Sequence, residues 1–182
     1  TAGAIGALQQ LSGGRAMLGL GRGDSALFNI GRKPAPRAEF EPYVASVQSY
    51  LSGQSIDQNG YPSALHWLDQ TQSKVPVDIS VTGPKVIAIG ARHAERVGFA
   101  VGADPVRVRW ALDQLVAATP AGREPVSPGL YINVCVHDDI AMATELVRPG
   151  VGIFSHFSGM PRSVPYSHSD AHRPLFTSLS SC

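Results

Sequence analysis

Residues 75–105 read Val75-Pro76-Val77-Asp78-Ile79-Ser80-Val81-Thr82-Gly83-Pro84-Lys85-Val86-Ile87-Ala88-Ile89-Gly90-Ala91-Arg92-His93-Ala94-Glu95-Arg96-Val97-Gly98-Phe99-Ala100-Val101-Gly102-Ala103-Asp104-Pro105. The opening run, residues 75–81, is rich in β-branched side chains and predicts a strand. Thr82-Gly83-Pro84-Lys85 then turns the chain, and Pro84 suits the first position of a helix, where a missing N–H costs nothing. That helix is predicted to reach about Ala94, and residues 97–101 return as a second strand. Asp104-Pro105 opens a further helix, with Asp104 as N-cap and Val108, Ala111, Leu112 and Leu115 on one face. Strands joined by helices imply a parallel sheet, because parallel neighbours need long crossover connections.

The same alternation extends both ways. Residues 2–11 predict a helix stopped by Ser12-Gly13-Gly14, and residues 16–20 a short strand buried on both faces. Phe40, Tyr43, Val44, Val47 and Leu51 recur at helical spacing, with Gly53 placed to end that helix. Residues 54–74 are polar and irregular. Residues 130–136 predict a fourth strand, followed by a helix capped by Asp138 and running through Val147. The pattern fits an open doubly wound sheet or part of a (β/α)8 barrel. After Arg148-Pro149-Gly150 it fails, so residues 1–150 are expected to form the folded unit and 151–182 an irregular tail.

Composition narrows the function classes. Fifteen Lys and Arg against 14 Asp and Glu give a net charge of +1, which removes the electrostatic case for a nucleic-acid or anionic-membrane partner. Apolar residues at 43% suffice for a core, and 19 Gly with 14 Pro exceed the usual share of roughly 12% for the two together. No apolar run approaches the ~20 residues of a membrane-spanning helix. The amino end has no basic segment before Arg15, so no signal peptide is expected. Cys135 and Cys182 show no disulfide or CxxC spacing, and a reducing cytoplasm is the expected compartment.

Chemistry is expected at the ends of the strands. Gly19-Leu20-Gly21-Arg22-Gly23-Asp24-Ser25 offers closely spaced glycines, where main chain can approach an anion or a planar ring, although a ligand-free turn would use the same residues. Gly21-x-Gly23-x-x-Ala26 fits the loose dinucleotide pattern, but Gly31, Pro34 and Pro36 follow where a Rossmann helix should open. Thr82-Gly83-Pro84-Lys85 leads into a helix N-terminus, whose free N–H groups suit a phosphate, with the Thr82 hydroxyl and Lys85 to assist; an ordinary βα turn reads the same way. Gly21-Gly23, Thr82-Gly83 and Val101-Gly102-Ala103 all follow successive strands, on the face where barrels and open sheets place ligands. His137-Asp138-Asp139 reads as a cap beside a surface histidine rather than an acid–base pair. His168-x3-His172 has ligand spacing without a helix, and no metal site is expected. No GxSxG, HExxH, P-loop or CxxC motif occurs.

Leu11-Ser12-Gly13-Gly14-Arg15-Ala16-Met17-Leu18-Gly19-Leu20-Gly21-Arg22-Gly23-Asp24-Ser25 resembles the LSGGR...LGLGxGDS segment of the bacterial luciferase-like superfamily, in its methylenetetrahydromethanopterin reductase-like, deazaflavin-using branch. Val75-Pro76-Val77, Thr82-Gly83-Pro84-Lys85 and Val101-Gly102-Ala103-Asp104-Pro105 are similar to that family's VPV...GPK...VGADP succession. The resemblance covers residues 1 to about 148. It implies an α/β fold, a partial (β/α)8 barrel of about four βα units matching the family's fourth to seventh strands. The cofactor it implies is FMN or coenzyme F420, approached by Gly21 and Gly23, by Val81, Thr82, Gly83 and Pro84, and by Val101 and Gly102. Ala94-Glu95-Arg96 departs from the family's Ala-Asp-Gly, and the first three strands and the eighth fall outside the match.

The function implied is a flavin- or deazaflavin-dependent oxidoreductase, performing hydride transfer or monooxygenation on a small organic substrate. Asp24 and His137 are the polar groups nearest the expected face, and no residue stands out as a general acid or base. Rival readings are a non-catalytic remnant that self-associates through open strand edges, and a flavodoxin-like nucleotide-binding module. A complete barrel takes about 250 residues, so 182 are expected to be a piece of one.

Overall fold

The computed structural model describes residues 1–23, 27, 30–69 and 71–158, with side chains described to residue 150. In chain order, the described elements are α1 (Ala2–Leu11), β1 (Leu18–Leu20), α2 (Arg37–Leu51), β2 (Ile56–Gln58), β3 (Tyr61–Ser63), β4 (Val77–Val81), α3 (Pro84–His93), β5 (Arg96–Phe99), α4 (Pro105–Ala118), β6 (Ser127–Leu130) and α5 (Ile140–Ser158). The predicted helix–strand alternation is present, with one hairpin added.

Four strands form a parallel sheet in the order β1-β4-β5-β6. Leu18 pairs with Val77 and Leu20 with Ile79, Asp78 with Arg96 and Ser80 with Gly98, and Arg96 with Ser127 and Phe99 with Leu130. Each new strand is added on the same side, so the sheet has no point at which its order reverses. Packing is one-sided as well. Val77, Ile79, Val81, Val97 and Phe99 alternate along β4 and β5 and are at most 1% exposed, in one core with Val44 and Val47 of α2, Ile87 and Ile89 of α3, and Ala111 and Leu115 of α4. Of the intervening positions, Gly19, Ser80 and Arg96 are exposed, while Asp78 and Gly98 are buried. A doubly wound sheet carries helices on both faces, so the flavodoxin-like alternative is excluded. A uniform strand order with helices on one face is an arc of a barrel wall.

Three local expectations are corrected. Residues 54–74 contain the β2–β3 hairpin, closed by Asn59 and Gly60, both at positive φ (56° and 88°), as a two-residue type I′ turn requires. The fourth strand is Ser127–Leu130 rather than residues 130–136. Ser127 N–H donates to Glu95 O (3.0 Å) and Tyr131 N–H to Phe99 O (2.9 Å), so the alternating main chain turns Pro128, which has no N–H, toward the open edge. Beyond that point β5 has ended, and Ile132, Val134 and Val136 stand 45%, 65% and 93% exposed. The cap of α5 is Asp139, whose Oδ1 accepts from Ala141 N–H (2.8 Å), not Asp138, and the helix continues past Val147 and Pro149 to Ser158. Asp104 caps α4 as expected, accepting from Val106 N–H at 2.9 Å.

The amino ends of the strands are tied together at Glu95. Its Oε2 accepts from the buried Val77 N–H (2.8 Å) and from Gln48 Nε2 (3.1 Å), and Lys74 Nζ lies 2.9 Å from Oε1. Its main chain bonds to β4 and β6, through Val77 O and Ser127 N–H. Burial pushes this carboxyl upward, but hydrogen bonds from Val77, Lys74 and Gln48 outweigh it and hold the group below the usual glutamate value of 4.5.

Two predictions follow from this packing. Ile79→Ala should lower the free energy of urea unfolding by about 2–5 kcal/mol, whereas Ser80→Ala, one residue along on the bare face, should change it by less than about 0.5 kcal/mol. Glu95→Ala, which orphans the Val77 N–H, should cost about 1–3 kcal/mol at neutral pH. Because the folded carboxyl titrates below the unfolded one, its stabilisation is complete above the usual glutamate range and is lost as pH falls through the folded value. Urea midpoints of wild type and variant should therefore converge as pH falls below the usual glutamate value of 4.5.

Candidate functional site

The carboxyl ends of β1, β4 and β5 bring the glycine-bearing turns together. Register places them in rows: Gly19 opposite Asp78 leads to Gly21 beside Ser80, where a Cβ built on Gly21 would lie 3.8 Å from the Ser80 Cβ. Beyond the paired residues lie Gly23, in the turn after β1, and Thr82, in the turn after β4, with Ala100 next to Thr82, since the Ala100 N–H donates to Val81 O at 3.0 Å. Gly21 is exposed, Gly23, Thr82, Gly83 and Gly102 are partly exposed, and Pro84 and Lys85 are exposed. Together they make an open shelf of small residues at the rim of the bare inner face.

Local sequence builds each part of the shelf. Gly23 (φ 88°) and Gly102 (φ 80°) occupy left-handed backbone that residues with a Cβ disfavour, which lets β1 and β5 turn sharply on leaving the sheet. Gly83 is the N-cap of α3 and Pro84 its first residue, and no side chain caps this end. The helix therefore presents the positive end of its dipole, with Lys85 beside it. Arg22 was not anticipated from its sequence context. Its Nε donates to Ala35 O (2.6 Å) while Ala35 N–H donates to Arg22 O (2.9 Å), which closes the long connection back onto β1.

Two of the eight expected residues have buried side chains. Val81 and Val101 are each 1% exposed, with their side chains in the core shared with the helices. The other six, Gly21, Gly23, Thr82, Gly83, Pro84 and Gly102, lie on the shelf. His137 is exposed, and its Nδ1 accepts the Asp139 N–H at 2.9 Å, so it belongs to the α5 cap. Asp24, His168, His172 and Cys182 lie outside the described residues. Among the described residues no three His, Cys, Asp or Glu side chains gather as a metal site, and no helix is long and apolar enough to cross a membrane.

Two clefts lie elsewhere. One of about 290 Å³ is lined by Gln9, Leu51, Gln72 and Lys74 near the amino ends of the strands, and one of about 310 Å³ by Thr1, Tyr43, Tyr50 and Leu65 on the α1–α2 surface. Both are outside the barrel arc. The shelf itself lies at the rim of the face of the sheet that the helices leave uncovered.

Comparison with known proteins agrees with this arrangement. Over 156 residues the chain is 29% identical to 5,10-methylenetetrahydromethanopterin reductase of Methanolobus tindarius, covering 81% of this chain and 47% of that protein. It is 31% identical over 103 residues to the enzyme of the same name from Archaeoglobus fulgidus, covering 53% and 30%. Its fold matches the coenzyme F420 dependent tetrahydromethanopterin reductase of Methanopyrus kandleri with a TM-score of 0.62 at 20% identity, covering 84% of this chain and 50% of that one. It matches an F420-dependent secondary alcohol dehydrogenase, solved with an F420-acetone adduct, with a TM-score of 0.62 at 15% identity, covering 100% and 57%. The chain thus spans about half the length of the relatives it matches. The family model described as luciferase-like monooxygenase matches residues 1–176, and on that match, with the one-sided parallel sheet, the chain belongs to the luciferase-like monooxygenase family.

Proposed function

We propose that this chain forms the cofactor-holding arc of an F420-dependent oxidoreductase that acts on a small organic molecule. The observation that carries the reading is the row of small residues, Gly21, Gly23, Thr82, Gly83 and Gly102, at the carboxyl ends of consecutive parallel strands. In barrels that end is where ligands bind. The relatives support the deazaflavin over FMN, since both solved neighbours are named as F420-dependent.

The residues present fit such a cofactor. A Cβ built on Gly83 meets nothing within 4 Å, and one on Gly21 meets only the Ser80 Cβ, so a flat group can approach the main chain closely. The uncapped N-terminus of α3 and the exposed Lys85 suit a phosphate. Thr82 adds a hydroxyl on the same turn. When bound, the deazaflavin supplies a two-electron hydride carrier. The chain's residues bind and orient: the β1 and β5 turns would support the ring, while Thr82 and Lys85 would hold the charged portion. Among the described residues of the shelf, the helix dipole and Lys85 supply the electrostatics, so cofactor affinity should fall as salt rises.

Titration of the purified chain with coenzyme F420, followed by deazaflavin fluorescence, should show saturable binding, and FMN at equal concentration should bind more weakly. Lys85→Ala should loosen F420 about tenfold with an unchanged circular dichroism melt. A folded chain that ignores F420, and so fits a non-catalytic remnant, would overturn the proposal.

A further inference from the structure

The bare inner face carries one aromatic side chain that neither the sequence motifs nor the glycine turns account for. Tyr131 directly follows β6. Its N–H donates to Phe99 O (2.9 Å), which places it across from Ala100, itself beside Thr82, one strand beyond the turns assigned to the cofactor. Its ring reaches back over β5. A Cβ built on Gly98 would fall 2.3 Å from Tyr131 Cε2 and 3.2 Å from Cζ, so only glycine at position 98 leaves room for the ring. Gly98 is buried as a result, while Tyr131 remains 53% exposed. Among the described residues its hydroxyl has no hydrogen-bond partner.

A large aromatic side chain set against main chain on one side and bare on the other resembles half of a stacking pair. Its place in the strand matters too. In a closed barrel the inner layers near the amino ends fill with side chains from the other strands, and the layer at the carboxyl ends stays open to ligand. Asp78 and Arg96 occupy the lower layer, with Arg96 Nε 3.8 Å from Asp78 Oδ2. Tyr131 stands at the upper one, in the row of Ala100 and Thr82.

We propose that Tyr131 is a positioning residue of the cofactor site: its ring, held in place by the absence of a side chain at Gly98, packs against the planar ring of the deazaflavin. This rests on the cofactor reading above. The ring system, not the hydroxyl, makes the contact, so phenylalanine should serve and leucine should not.

The test titrates the 182-residue chain and its variants with coenzyme F420, reading affinity, deazaflavin fluorescence quenching and the circular dichroism melt. Tyr131→Leu and Tyr131→Ala should each weaken binding about fivefold to tenfold and abolish the quenching contributed by the stacked ring. Tyr131→Phe should keep both within about twofold. Gly98→Ala, which displaces the ring while retaining Tyr131, should reproduce the alanine phenotype. Leucine preserves apolar bulk, so it keeps the test valid if the alanine variant melts early. If wild type binds F420 and Lys85→Ala weakens it, but Tyr131→Leu binds and quenches as wild type does, Tyr131 is a packing residue and this proposal fails while the cofactor reading stands. If wild type does not bind F420, both fail.

Discussion

Every other feature depends on the side-chain alternation in β4 and β5. Val77, Ile79, Val81, Val97 and Phe99 face one layer of helices and are almost wholly buried. Each contributes roughly 1.5–3 kcal/mol of transfer free energy when taken from water. Because a strand's side chains alternate, fixing those residues toward the helices also fixes Asp78, Ser80, Arg96 and Gly98 on the opposite face. A one-residue slip would expose the core and turn Ser80 and Arg96 into it. The bare face is therefore a consequence of how the core is buried, and the turns at the strand ends inherit their positions from the same register.

Glu95 secures that register at the opposite end. It occupies the turn between α3 and β5, where its carboxylate takes the first N–H of β4 and its main chain reaches β4 and β6. Conservation of barrel architecture often divides this way: the amino ends carry stabilising contacts and the carboxyl ends carry ligand. Here the ionic and amide cluster of Glu95, Lys74 and Gln48 lies at the amino end. The carboxyl end carries small residues, an uncapped helix and an aromatic ring.

Much of this was legible in the sequence because the governing signals are local. The Val77, Ile79, Val81 triplet, Pro84 at the start of α3 and Asp104 at the start of α4 each have one straightforward conformational reading. The hairpin was legible too, in Asn59-Gly60, but its short polar strands carry little apolar alternation and so read as loop. Residues 130–136 misled for the opposite reason. They alternate like a strand, yet pairing depends on where β5 stops, which is a property of its neighbour. Val81 and Val101 were assigned to the site by family pattern, while strand alternation sends both side chains into the core. Asp138 and Asp139 are chemically equivalent as caps, and only the geometry of the turn selects Asp139. Tyr131 escaped notice because an aromatic residue in a strand reads as packing, and its partner Gly98 is 33 positions away in the chain.

On the proposed reading, the rim of the bare inner face, rather than either cleft outside the barrel arc, receives the deazaflavin. Amide hydrogen exchange with and without coenzyme F420 tests it directly. New protection is expected only in the turns at Gly21–Gly23, Thr82–Lys85 and Gly102–Asp104 and in the segment around Tyr131. Protection at the Gln9–Lys74 cleft instead, or an exchange pattern that F420 leaves unchanged, would contradict it.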